Sequence, residues 1–214
     1  MRVPQSDGTR GSLKWLQGAV NYRPDLLDCP KIGVIDWLSP LESDDYAEYS
    51  DTDFLDRLGI GHLSERLAGF WPRRGPQWDA LGRSGEAIIL VEAKAHIGEF
   101  LSPPTAAKGS SREQIERALT ATKTALRARD ITNWMTCFYQ YTNRLSHLHF
   151  LRSNSIDAHL MLVGFTGDTE MSGPASGAEW KAAYRVANHA IGLPERHPLS
   201  SFVHHIFPDV SALR

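Results

Sequence analysis

Two carboxylates and a lysine have types and spacing that suit chemistry: Asp79, then Glu92 and Lys94 on either side of Ala93. Glu92 and Lys94 sit at the exit of the apolar run 87–91, which Gly82, Ser84 and Gly85 bound upstream. An apolar run of this length between turn residues predicts a buried strand. Charges at the end of such a strand need a reason, because burying them without partners is costly. Side chains alternate along a strand, so Glu92 and Lys94 share one face and Ala93 takes the other. Asp79 lies thirteen residues before Glu92, across a turn. With 78–83 as the partner strand of a hairpin, Asp79 comes beside Glu92. Two carboxylates and a lysine at a sheet edge suit a divalent cation and an activated water. Magnesium takes oxygen ligands in octahedral geometry, usually one or two carboxylates with waters and phosphate oxygens. Asp79 and Glu92 supply two oxygens and the backbone carbonyl of Ala93 a third, which makes Mg2+ (or Mn2+) the expected cofactor. Lys94 can orient or deprotonate the attacking water, or offset charge on a phosphate. The same residues also suit a plain Glu–Lys pair at a strand end with Asp79 in a turn, because Glu-x-Lys is a short pattern.

The elements that must hold these residues follow from periodicity. Residues 1–11 are polar and predict a loose N-terminal arm. Leu13, Leu16 and Val20 predict a short helix that Pro24 ends, and 31–38 a short strand closed by Pro40. Residues 42–56 carry seven acids and read as a solvated loop leading into the acidic first turn of a helix, with Asp51 or Thr52 as its N-cap. That helix carries Phe54, Leu55 and Leu58, is interrupted at Gly59 and Gly61, and continues to about Gly69. After a flexible loop over 102–111, Ser111–Gln114 has capping-box spacing and opens a helix to about Arg129. A strongly amphipathic helix is expected from Thr132 or Asn133, with Trp134, Phe138, Tyr141, Leu145 and Leu148 on its apolar stripe. A strand over 156–165, a helix over 178–191 and a strand over 202–207 complete the chain. A hairpin with later strands joined through helices implies an α/β fold: one mixed central sheet flanked by helices.

At 214 residues the chain suits one compact domain, and its 42% hydrophobic and 22% charged residues are ordinary for a soluble globular protein. A net charge of −2 excludes bulk attraction to nucleic acid and leaves only a local basic patch for that role. The best such patch is the segment 108–129, with Lys108, Arg112, Arg117, Lys123, Arg127 and Arg129. Cys29 and Cys137 form no thiolate zinc pattern and fit a reducing cytoplasm. The absence of a signal-peptide apolar core and of an 18-residue apolar run predicts a cytoplasmic protein without a membrane partner. No Gly-x-Ser-x-Gly elbow, GxGxxG or P-loop offers other chemistry.

Further candidates lie around the triad. Gln140, Asn143, Arg144 and His147 form one polar stripe of the long helix, which either faces solvent or lines the cleft and contacts phosphate. His96 falls on the strand face of Glu92 and Lys94; such a lone histidine is also a common packing residue. Glu99 is a further acid just beyond the strand. Arg73 and Arg74, at the entrance to the hairpin, can hold an anionic substrate.

The arrangement Asp79 … Glu92-Ala93-Lys94 resembles the PD-(D/E)XK, or restriction-endonuclease-like, nuclease superfamily. The motif is complete at these three positions, while Pro76 stands three residues before Asp79 and Trp78 occupies the motif's proline position. The resemblance implies a restriction-endonuclease-like core of helix, three strands, helix and strand over about 52–165, with the final helix and strand as an extension. It implies Mg2+-dependent hydrolysis of phosphodiester bonds in DNA or RNA. By the same resemblance Glu65, on the helix before the hairpin, is the acid that completes the metal site, and Gln140 and Arg144 contact substrate. The segments 78–82, 90–96, 139–145 and 205–210 are also similar to a group of bacterial proteins of uncharacterised function. The alternative implied is a nuclease fold that no longer cuts and serves as a binding or regulatory module.

Overall fold

In a computed structural model describing residues 1–213, the chain begins with β1 (Arg2–Val3), α1 (Gly11–Tyr22), β2 (Asp36–Ser39) and β3 (Glu48–Tyr49). Helices α2 (Asp51–Arg57) and α3 (Ser64–Phe70) lead to the hairpin β4 (Ala80–Ser84) and β5 (Ala87–Lys94). The one-turn α4 (Ile97–Phe100), α5 (Gly109–Ala125) and α6 (Tyr139–Ser153) then precede β6 (Ala158–Gly164), α7 (Gly177–Ala190) and β7 (Val203–Ile206).

Five strands form one mixed sheet in the order β2-β4-β5-β6-β7. β2, β4 and β5 are antiparallel neighbours, and β5, β6 and β7 run parallel. The hairpin turn is tight because Gly85 takes φ +57, a conformation that costs a glycine little. β5 is the central strand, buried from Ile88 to Lys94, which explains its unbroken apolar sequence.

Alternation along the strands divides the core in two. Ile88 and Leu90 of β5, with Leu160 and Leu162 of β6, face α2, α3, α5, α6 and α7. Ile89, Val91 and Ala93, with Met161 and Val163, face α1 and the C-terminal turn. Gly164 lets α7 approach, since a Cβ there would stand 2.8 Å from the ring of Trp180.

Several expectations are corrected. The N-terminal arm is docked: β1 pairs antiparallel with β3, and the Arg2 side chain bonds Asp44 and Asp45. Of the acids of 42–56, Glu42, Asp45 and Asp56 are exposed and Asp51 and Asp53 stand in the first turn of α2, as expected, whereas Glu48 is buried. Asp51 does not cap α2; its carboxylate accepts the backbone N–H groups of Arg74 (3.1 Å) and Gly75 (2.8 Å). The expected strand over 31–38 begins only at Asp36, because Cys29–Gly33 closes a turn. α5 starts at Gly109, two residues before the expected capping box. The helix expected from 132 or 133 starts at Tyr139. The Asn133 carbonyl and side chain accept the N–H groups of residues 135–137 in a local turn, and Phe138 takes φ +49. Trp134 is instead fixed by its indole N–H donating to the Ile191 carbonyl at 2.8 Å. Both cysteines are free, and no described helix is long and apolar enough to cross a membrane.

Candidate functional site

Register assembles the acids. Ala80 pairs with Val91, so Asp79, one residue earlier, comes beside Glu92 just before β4 begins. There an Asp79 carboxylate oxygen takes over the lost ladder bond and accepts the Ala93 N–H at 2.7 Å. The N–H and C=O of a strand residue point the same way, so the Ala93 carbonyl also faces the Asp79 edge. On the far side of Asp79, Tyr49 bridges Trp78, with the Trp78 N–H donating to the Tyr49 carbonyl at 2.9 Å. That pairing sets Glu48 next to Asp79. Three carboxylates, Glu48, Asp79 and Glu92, thus stand on adjacent chain segments at one end of the sheet.

Glu92 and Lys94 share the sheet face that α6 covers, and both are buried. The Lys94 ammonium donates to one Glu92 oxygen and the Arg144 guanidinium to the other. Arg144 also donates to the Gln77 carbonyl (2.7 Å) and to Asn143 Oδ1 (3.0 Å), and stacks over the Trp78 ring at 4.8 Å. The electrostatics follow from these partners. Burial pushes the Glu92 carboxyl up, but Arg144 and Lys94 together outweigh it and hold the group below its ordinary range. Burial pushes Lys94 down, and the charges of Glu92 and Asp79 more than reverse this. Asp79 is raised well above the usual carboxylate range, first by burial and then by the charge of Glu92, with Glu48 adding to it. Glu48 is raised by burial and by Glu92. Asp79 is therefore the carboxylate whose charge the protein compensates least.

Glu48 and Asp79, but not the buried Glu92, open onto a cleft of about 600 Å3 lined also by Glu99 and, from α6, by Tyr139, Gln140 and Arg144, with the 101–106 loop at its rim. Glu99 is fixed by accepting the N–H groups of Ala95 (2.6 Å) and Ser12 (3.3 Å). The donor set is made of hard oxygens, with two carboxylates of raised pKa, and so fits a magnesium- or manganese-type cation. Among the described residues no three acid, histidine or cysteine side chains are already gathered as a ligand set. Glu92 is turned to its two cations instead.

The sequence-derived residues divide accordingly. Asp79, Glu92, Ala93, Lys94, Gln140 and Arg144 are brought together. His96 lies past the end of β5, at the start of α4, with Nε2 3.6 Å from Glu99, and so adjoins the cleft only through that acid. Glu65 is exposed on α3, and the acid beside Asp79 is Glu48. Arg74 is exposed in the loop before β4, tied through its backbone to Asp51, and does not line the cleft. None of the basic residues of 108–129 lines it either. Glu48 was hidden in the acid-rich stretch. The one signal for it was its place between Ala47 and Tyr49, both buried.

Comparison with family models, curated proteins and solved structures returns no match. The site must therefore be read from its own geometry.

The polar stripe of α6 splits. Gln140, Asn143 and Arg144 reach the cleft, but His147 is 1% exposed among Trp71, Phe70, Trp78 and Phe54. Its Nδ1 lies 2.9 Å from the Asn143 carbonyl, which only accepts, so Nδ1 carries the proton of a neutral ring. Burial lowers its pKa to about 3. The unfolded chain takes up this proton below about pH 6.5, whereas the folded one does so only near 3. Stability linked to His147 is thus full above pH 6.5 and lost progressively as pH falls toward 3. Urea titrations at pH 6 and pH 4 are expected to show a stability loss in the wild type larger by about 1.4 kcal/mol per pH unit than in His147→Leu. Parallel losses in the two proteins would refute the assignment.

Proposed function

We propose that this protein is a metal-dependent phosphodiester hydrolase acting on nucleic acid, with a restriction-endonuclease-like core. The observation that carries the reading is the convergence of Asp79, Glu92 and Lys94 at one end of the hairpin, with Asp79 lining an open cleft and Glu92 and Lys94 buried beside it. In this reading Asp79 and Glu92 hold Mg2+ or Mn2+ with the Ala93 carbonyl, and Glu48 takes the part that the resemblance gave to Glu65. When bound, the cation lowers the pKa of a water and offsets charge on the phosphate. Lys94 orients that water from its place against Glu92. Gln140 and Tyr139, at the N-terminal end of α6, flank the substrate path. The hairpin followed by a parallel strand suits such a core, although its first strand, β2, follows α1 and precedes α2 and α3.

The test is incubation with plasmid, single-stranded DNA and RNA in Mg2+, Mn2+ or EDTA. Cleavage requiring the cation is expected, and Lys94→Met should reduce it about a hundredfold. Cutting that survives both EDTA and Lys94→Met would refute the assignment.

The occupation of both Glu92 oxygens by Lys94 and Arg144 favours a second reading, a nuclease fold that binds without cutting. Absence of cleavage together with absence of metal binding would select it.

A further inference from the structure

We propose that Arg144 is the internal counter-cation of the carboxylate cluster and that, by occupying Glu92, it holds down the affinity of the site for a divalent cation. This rests on the metal-dependent reading above. Glu92 already has a buried cationic partner in Lys94, so its charge does not require a second. Arg144 is nevertheless 3% exposed and committed to it, with its two terminal nitrogens bonded to Asn143 Oδ1 and the Gln77 carbonyl and its plane on Trp78. A guanidinium cannot leave by losing a proton at any ordinary pH. To bind a cation the three carboxylates, Glu48, Asp79 and Glu92, must all be ionised, and in that state they face two fixed cations, which leaves the cluster with one net negative charge. A dication added to that set leaves it one charge in excess; without Arg144 the same addition gives neutrality. Arg144 also starts from the cleft-lining side of α6, beside Gln140 and Asn143, so its charge bears directly on the space a cation would enter.

The experiment is isothermal titration of the full chain with Mn2+, comparing wild type with Arg144→Met and Arg144→Lys. Methionine keeps an unbranched stem against Trp78 and removes the charge. Arg144→Met should bind Mn2+ about tenfold or more tightly than wild type, since a unit charge a few ångströms away is worth at least that much near a protein surface. Arg144→Lys should restore the wild-type affinity, which a purely structural role would not. Should Arg144→Met fail to fold by circular dichroism, Arg144→Gln, whose amide still donates, carries the same expectation. Equal or weaker binding by the neutral variants would overturn the proposal and make Arg144 a residue that merely orients Glu92. Mn2+ binding by none of the proteins would overturn the metal reading itself, and this inference with it.

Discussion

Asp79→Asn is expected to abolish metal-dependent cleavage, by about a thousandfold, while leaving the protein as stable as before or more so. The two halves of this expectation come from the same contacts. In the proposed reaction the Asp79 carboxylate is a cation ligand, and an amide, lacking the charge, is a poor substitute. In the fold its task is smaller. One oxygen accepts the Ala93 N–H at 2.7 Å, which an asparagine carbonyl does equally well. The charge itself is unwelcome, pressed by burial and by Glu92 and Glu48. Removing it relieves repulsion in a low-dielectric site. Thermal unfolding of the two proteins, beside their cleavage rates, checks both halves. A variant that cuts like wild type would remove Asp79 from the chemistry, and one that unfolds well below wild type would contradict the electrostatic account.

Glu92→Ala is expected to behave in the opposite way, with a loss of stability of about 3–5 kcal/mol. Glu92 joins β5 to α6 through Arg144 and neutralises Lys94 on its own strand. Its removal leaves an ammonium and a guanidinium facing each other without a carboxylate between them, and buried charges without partners are among the most damaging changes to a fold. The urea midpoint should fall with an unchanged m-value. A midpoint within error of wild type would mean that water reaches the pair and that the site is far wetter than its burial suggests. Two carboxylates of one proposed metal site thus have different places in the fold. Asp79 weakens it, and Glu92 holds two elements together.

The hairpin, the buried strand at 158–164 and the helix and strand that follow were legible because their signals are local: apolar runs of strand length, turn residues and a 3.6-residue period. Asp79, Glu92 and Lys94 were legible for the same reason, since two of them share a strand and the third is set by a short turn. Glu48 was not. It lies in a strand of two residues whose partners are Arg2–Val3 and Trp78, and no local periodicity marks a strand so short. Charge density then hid it, because seven acids in fifteen residues look solvated, as Glu42, Asp45 and Asp56 are, and nothing local separates the one buried acid from them. Glu65 was selected by resemblance, and only the long-range pairing at Tyr49 and Trp78 shows a different acid beside Asp79. On α6 the stripe of four polar residues was visible, but spacing gives a direction around a helix and not a depth. His147 sits one turn further along, beneath Trp71, where the same face has passed from cleft to core.

The pairing of β1 with β3 has a consequence for the order in which the molecule matures. Glu48 receives a hydrogen bond from Gln5, 43 residues away, and Glu92 from Arg144, 52 residues away. Each closure costs chain entropy that only the finished packing repays. The hairpin brings Lys94 to Glu92 through contacts between neighbours in sequence, but Arg144 and Glu48 come to it from distant segments. The site becomes complete only after the start of the chain and the sixth helix have both docked. A ribosome-bound chain that has not yet released residue 144 carries the motif and lacks the site.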